Sequence, residues 1–345
     1  MRFKAKLASD QINVLSSLIG SIARIGGSSQ NMDSGLNSSG LNSSAIAPSG
    51  GSVMYLDQTY FRISIRGSGQ SDDSNGISCF AELDTSILFL DHRIESAANN
   101  EIVFEIDLVL LRMALQSILS SQKENISGYK RPLQNSLTEN NGDDDGGRPN
   151  ATAIIMKLAK RSGMPCLCLD SYGGSVEIHH ALPIRIMRTN EMHHYLPPKT
   201  ELPDVQLELP SQRPLRAVVE RMRHISPYIY IDGSMKGELS LRIDSDGASI
   251  RTFFSKLIPR FEECKESSTN DDSRLASCTV KVDSKKFHAS LHWQSVISMN
   301  RFVSSSILCM VENEMLVLHV FLNPTKLGFF TFYIPVYFIS PDDLD

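Results

Sequence analysis

The sequence predicts an α+β protein in which helices cover one side of a sheet. Three observations lead there. One order of elements, strand–helix–strand–strand–strand, recurs four times along the chain. Turn-forming residues punctuate the alternating runs, as in Arg161-Ser162-Gly163, Tyr172-Gly173-Gly174 and Ser245-Asp246-Gly247. Four helices are too few to cover both faces of so many strands, so they form a single layer.

The first pass begins with the alternation of residues 2–8, a strand, followed by a helix at 11–25. Short strands follow near 53–57, 60–66 and 77–82. The second pass opens on Ile102-Val103-Phe104-Glu105-Ile106, continues as a helix at 108–120, and has strands near 151–160, 164–170 and 174–182. The third is Val205–Leu209, a helix at 212–224, and strands near 228–232, 237–243 and 247–254. The fourth is Cys278–Val282, a helix at 284–294, and strands near 304–310, 314–320 and 327–335.

Two passes lie on each side of a segment carrying Pro197-Pro198 and Pro203, whose fixed backbone suits a linker. The expected organisation is an N-terminal unit at 1–186, a linker at 187–203 and a C-terminal unit at 204–345. Stretches at about 26–52, 121–150 and 259–274 lack periodicity and apolar content, and are expected to be flexible loops.

Composition narrows the function. With 345 residues, 41% of them hydrophobic and 21% charged, the chain can bury a sizeable core, which excludes wholesale disorder. The net charge of −5 excludes a globally basic nucleic-acid binder but not a local basic face. No apolar run approaches the roughly 18–20 residues that cross a bilayer. The six scattered cysteines are expected to be reduced thiols of an intracellular protein.

The polar faces of the helices carry one dominant sign of charge. At about 100° per residue, Leu215, Val219 and Met222 share one side of helix 212–224. Arg213, Arg216 and Arg223 fall together elsewhere, with Glu220 among them. Helix 284–294 buries Phe287 and Leu291 and places Lys285, His288 and His292 on another face. Helix 108–120 has Arg112 at the edge of its apolar stripe, and helix 11–25 offers Arg24. Any one such helix reads as an ordinary solvated surface. Four equivalent helices in an acidic protein make a surface suited to neutralising phosphates without reading bases.

Short motifs then resemble the Hus-type subunit of the heterotrimeric nine-one-one DNA-damage checkpoint clamp, a sliding-clamp family. They are Met1-Arg2-Phe3-Lys4-Ala5-Lys6, Asn99-Asn100-Glu101-Ile102, Val218 through Ser226, Gly237 through Ile243, and Phe332-Tyr333-Ile334-Pro335-Val336. The most specific is Val218-Val219-Glu220-Arg221-Met222-Arg223-His224-Ile225-Ser226. The loops at 26–52 and 121–150 are larger than the family pattern. The resemblance implies a DNA sliding-clamp fold of two similar domains, helices on the inner face and sheets outside. It implies a non-catalytic nuclear protein, without cofactor or metal, acting in DNA repair and cell-cycle control. Its partners would be two Rad-type clamp subunits, an ATP-driven clamp loader, double-stranded DNA bound without sequence specificity, and checkpoint and repair proteins. Arg24, Arg112, Arg213, Arg216, Arg223 and Lys285 would face DNA. The edge strands 174–182 and 247–254 would join neighbouring subunits through Val176, Ile178, His180, Ser249, Ile250, Arg251 and Phe253.

Other classes remain as alternatives: a metal-dependent hydrolase, or a monomeric nucleic-acid-binding module. The hydrolase would draw on His179-His180, His193-His194 and Asp143-Asp144-Asp145. Adjacent histidines on a strand point to opposite faces, however, and the acidic run lies in glycine-rich sequence without a rigid support. No G-x-x-x-x-G-K-[ST] phosphate loop and no G-x-S-x-G elbow is present.

Overall fold

The computed structural model describes residues 1–26, 51–66, 76–128, 153–172, 177–188, 190–191, 195–209, 214–245, 247–260, 276–296, 302–322 and 327–339. The first repeat comprises β1 (Arg2–Leu7), α1 (Ser9–Gly26), β2 (Ser52–Leu56), β3 (Tyr60–Arg66) and β4 (Ser78–Asp84), followed by a one-turn α2 (Thr85–Leu88) and β5 (Asp91–Glu95). The second comprises β6 (Ile102–Ile106), α3 (Leu108–Gly128), β7 (Ala153–Arg161), β8 (Met164–Tyr172) and β9 (Ile178–Met187). The third comprises β10 (Val205–Glu208), α4 (Pro214–Met222), β11 (Tyr228–Ser234), β12 (Glu238–Ser245) and β13 (Ala248–Phe254), with a short β14 (Ile258–Pro259). The fourth comprises β15 (Ser277–Asp283), α5 (Ser284–Ser290), a 3₁₀ turn (His292–Ser295), β16 (Val303–Val311), β17 (Met315–Leu322) and β18 (Gly328–Tyr337).

The recurrence is physical as well as sequential. In the second and fourth repeats an Asp ends the first strand and starts the helix. Asp107 Oδ1 accepts from the amides of Val109 (2.7 Å) and Leu110 (3.2 Å). Asp283 Oδ1 accepts from those of Lys285 (2.8 Å) and Lys286 (2.9 Å). Each side chain satisfies helix amides that have no intrahelical partner. Apolar residues alternate along the strands, as in β1, where Phe3, Ala5 and Leu7 are buried and Arg2, Lys4 and Lys6 are exposed. The buried sides of sheets and helices meet in one continuous core.

All the pairings are antiparallel. One sheet runs β5–β1–β7–β8–β9 and another β13–β12–β11–β15–β18. A third joins the halves of the chain in the order β9–β6–β2–β3–β4–β18–β17–β16–β10–β14. Its centre is the pairing of β4 with β18, Ser78 opposite Tyr333 through Leu83 opposite Gly328. Two strands belong to two sheets, and both change sheet beside a proline. β9 pairs with β8 through Pro183 and with β6 from Ile184 onward. β18 pairs with β17 through Pro335 and with β15 from Val336 onward. Proline has no N–H to donate, so it suits the point where a ladder is handed over.

Several elements depart from expectation. The edge strand predicted at 174–182 begins at Ile178 and runs past Pro183 to Met187, into the segment read as linker. Residues 174–176 lie outside the described residues. The helix predicted at 284–294 stops at Ser290 and continues as the 3₁₀ turn. In an unbroken α-helix Trp293 would sit about 200° from Leu291. The change of helix type lets both be buried, at 1% and 0% exposure. The sequence pattern does not predict the short α2, β5 and β14. The helix α3 runs past its predicted end at 120 to Gly128, through the start of the segment expected to be a flexible loop at 121–150. The rest of that segment, and the expected loops at 26–52 and 259–274 apart from their ends, lie outside the described residues.

Candidate DNA-facing helices and ring-closing edges

The helices form one row in the order α3, α1, α5 with its 3₁₀ turn, and α4. Gly20 of α1 leaves room beside the Arg112 stem on α3: a Cβ there would stand 3.8 Å from Arg112 Cδ. Arg112 is half-buried, with Nε shielded and unpartnered. Where α4 meets α5, three basic side chains gather on one carboxylate. Arg216 Nη1 lies 3.8 Å from Glu220 Oε2, Arg223 Nη2 3.5 Å from Oε1, and His288 Nε2 3.7 Å from Oε2. Burial acts upward on the Glu220 carboxyl, but Arg216, His288 and Arg223 together hold it below the usual carboxylate range. Burial, with Arg223 and Arg216 nearby, holds His288 below the usual imidazole range despite Glu220. Lys285 is exposed on the first turn of α5.

The proposed DNA-facing residues therefore fall into three groups. Arg216 and Arg223 come together, tied through Glu220 and partly buried rather than free on the surface. Arg112 and Lys285 stand apart on α3 and α5. Arg24 is in the last turn of α1, but its side chain lies outside the described residues, as does Arg213 altogether. Sequence reading grouped His288 with the basic face; the structure makes it a partner of Glu220.

The two predicted edges carry different chemistry. From Ile178 to Pro183, β9 pairs only with β8 among the described strands. Ile178, His180 and Leu182 face the core side, and Leu182 is buried. His180 Nε2 is shielded from solvent and meets no hydrogen-bond partner among the described residues. On the outer side, Asp170 of β8 is 2% exposed, with Oδ2 2.6 Å from Lys157 Nζ and Oδ1 3.0 Å from His179 Nδ1. Burial would raise the Asp170 pKa, but its hydrogen bonds to Lys157 and His179 hold it below the usual carboxylate range. At the other edge, β13 pairs only with β12 among the described strands. Arg251 Nη2 donates to Asp232 Oδ2 (2.8 Å), and Phe253 is 70% exposed. Ser249 and Ile250 are exposed as well. Val176 lies outside the described residues. Sequence reading missed Lys157 and Asp170; the signal was Asp170 closing the otherwise apolar run Cys166-Leu167-Cys168-Leu169.

A family model described as Hus1-like protein matches residues 50–338. The chain belongs to the Hus1-like family. The checkpoint protein hus1 homolog of Dictyostelium discoideum is 30% identical over 270 residues, 77% of this chain and 84% of that protein. The checkpoint protein HUS1 of Homo sapiens is 27% identical over 191 residues, 53% of this chain and 57% of that protein. Among solved structures, PCNA from Thermococcus kodakaraensis superposes with a TM-score of 0.55 at 14% identity, over 97% of this chain and all (100%) of that one. Proliferating cellular nuclear antigen from Entamoeba histolytica gives 0.60 at 10% identity, over 97% and 99%. The fold is thus the α+β sliding-clamp fold, as the repeats and the Hus-type resemblance implied. This Hus1-like chain is a checkpoint clamp subunit.

The described cysteines of the Hus1-like chain are buried, and none of them is in a disulfide. Among the described residues, no three His, Cys, Asp or Glu side chains gather as a metal would require. His179 and His180 point to opposite sides of β9, one into the Asp170 pair and the other toward the core side.

Proposed function

We propose that this chain is a non-catalytic subunit of a ring that encircles double-stranded DNA and recruits checkpoint signalling and repair factors on its outer surface. The row of helices faces DNA, and the sheets form the outside. The ring is completed by two Rad-type clamp subunits, is opened and closed on DNA by an ATP-driven loader, and works in the nucleus. The mechanism is topological. Closure retains the protein on DNA, while Arg112, Arg216, Arg223 and Lys285, with Arg24 and Arg213, make mobile phosphate contacts that carry no sequence information.

The observation that carries this reading is an open-ended strand arrangement. The pairing of β4 with β18 closes the junction inside the chain, and strands of the two remaining repeats, β9 and β13, end without neighbours at 178–183 and 248–254 among the described strands. Unpaired backbone groups on an edge readily accept another strand. The test is assembly with the two partner chains after Ala181→Pro or Ser249→Pro, each of which removes a backbone donor that points away from the inner neighbour strand at one edge. Each is expected to abolish one neighbour contact and spare the other; full assembly by both variants refutes closure through these strands. In the intact ring, Arg216→Glu, Arg223→Glu and Lys285→Glu together should lower the salt dependence of DNA binding by up to about 2.7 in log–log slope, about 0.9 for each phosphate no longer neutralised, and by less to the extent that Glu220 already holds the two arginines. An unchanged slope refutes the channel assignment.

A further inference from the structure

The chain contains a template for the contact its edges make. Cys166 pairs with Pro183 and Met315 with Pro335, so β9 and β18 are equivalent strands in register. His180 then corresponds to Phe332, His179 to Thr331 and Ile178 to Phe330. The other edge follows in the same way. Val53 lies opposite Glu105 and Ser64, and Ser64 opposite Phe80. Tyr230 lies opposite Lys281 and Arg242, and Arg242 opposite Arg251. Glu105 and Lys281 each stand two residues before a helix-capping Asp, so Arg251 corresponds to Phe80, and Ile250 to Cys79.

Inside the chain, Phe332 pairs with Cys79 on the core side, and both are completely buried. If β9 of one copy met β13 of a second in this register, His180 would take the place of Phe332 opposite Ile250. Its Nε2, already shielded and unpartnered, would face an aliphatic side chain in a closed junction. There it would stay unsatisfied, whereas a neighbour that offers a hydrogen-bonding side chain would satisfy it. On the outer side His179 would meet Arg251, two basic groups whose carboxylates, Asp170 and Asp232, already hold them.

We propose that His180 is a specificity determinant of ring closure: it bars a second copy of this chain from the β9 edge and selects a different clamp-type chain. That chain carries a hydrogen-bonding side chain, rather than an aliphatic one, opposite His180. The inference rests on the ring-closure reading, which is tested separately with the partner chains and the proline variants; this one is read from a single chain.

The probe is a second copy of the same chain. His179→Thr with His180→Phe gives the β9 edge the side chains of the internal junction at these two positions. Sedimentation at pH 8 should find the wild-type chain monomeric. The double variant should self-associate at least tenfold more tightly, and adding Ser249→Pro should reverse this by blocking the other edge. Circular dichroism and thermal melting establish that the variant is folded. A folded double variant that stays as monomeric as wild type overturns the proposal. So does a wild-type chain whose self-association is abolished by Ser249→Pro.

Discussion

Replacing Glu220 by Gln should strengthen the grip of the assembled ring on DNA while slightly weakening the fold. Glu220 holds Arg216 and Arg223 at 3.8 and 3.5 Å, and its side chain is 42% exposed. Pairs this exposed contribute about 0–1 kcal/mol each, so with two pairs the variant should lose no more than about 2 kcal/mol of stability. The gain at the DNA surface is larger in relative terms. A phosphate approaching either guanidinium must compete with the Glu220 carboxylate, and Gln keeps the shape while removing that charge. Releasing one or two guanidiniums should steepen the log–log salt dependence of binding by about 0.9–1.8. Between about 50 and 200 mM salt, that alters the ratio of affinities roughly three- to twelvefold. Fluorescence anisotropy of the assembled ring on labelled duplex DNA, across a salt series, measures the slope directly. An assembled Glu220→Gln ring with the wild-type slope would refute both the placement of α4 toward DNA and the competition argument.

Gly328→Ala should open the internal junction. Gly328 has φ +148°, and a Cβ there would collide with the backbone oxygen of Glu82 on β4. The strain alone costs on the order of 1–3 kcal/mol, measurable by denaturant titration; wild-type stability would contradict the packing described. Asp170→Asn should flatten the acid limb of the stability profile. Because the Asp170 carboxyl is held below its unfolded range, its stabilisation is complete above an ordinary Asp pKa of about 4 and is lost as pH falls through the folded value. Chemical melts from about pH 7 down to pH 2 should therefore converge for wild type and variant at the acid end; parallel curves would refute the assignment. Cys278 should resist thiolate-selective alkylation at pH 8 in the native chain, since burial, with Asp204 and Glu312 adding to it, pushes its thiol up to about 12. Modification as fast as in the unfolded chain would show that the site is open.

The repeats were legible because each local signal agreed with its neighbours. Alternation in β1, the apolar run of β6 and the periodicity of α4 all pointed to the same order of elements. The errors fell where tertiary packing decides. Nothing local in Leu291-His292-Trp293 announces a change of helix type; the need to bury both Leu291 and Trp293 imposes it. Pro183 reads as a boundary in sequence, yet β9 passes through it because the strand changes partners there. β14 has only two residues, too few for any alternation to register. At the functional surfaces, residue type was readable and pairing was not. The basic faces were visible as a pattern, whereas the geometry by which Glu220 gathers Arg216, Arg223 and His288 depends on α4 meeting α5.

The two open edges share a construction that suits them to assembly. On each, a carboxylate from another strand of the same sheet holds a basic side chain of the edge strand. Asp170 reaches from β8 to His179 on β9 while bonded to Lys157 of β7. Asp232 reaches from β11 to Arg251 on β13, and also accepts from Ser240 of β12 (2.7 Å) and Thr279 of β15 (3.0 Å). These networks run across the strands on the outer face, at right angles to the edge, so they fix the lateral position of the last strand without using its free backbone groups. An edge held in place has less conformational freedom to lose when another strand docks, and preorganisation of this kind lowers the cost of association. The inner faces do the opposite work. His180 and Ile250 stand where the internal junction has Phe332 and Cys79, so the core side discriminates between neighbours, while the outer side holds the edge ready and sets His179 against Arg251 in a second copy.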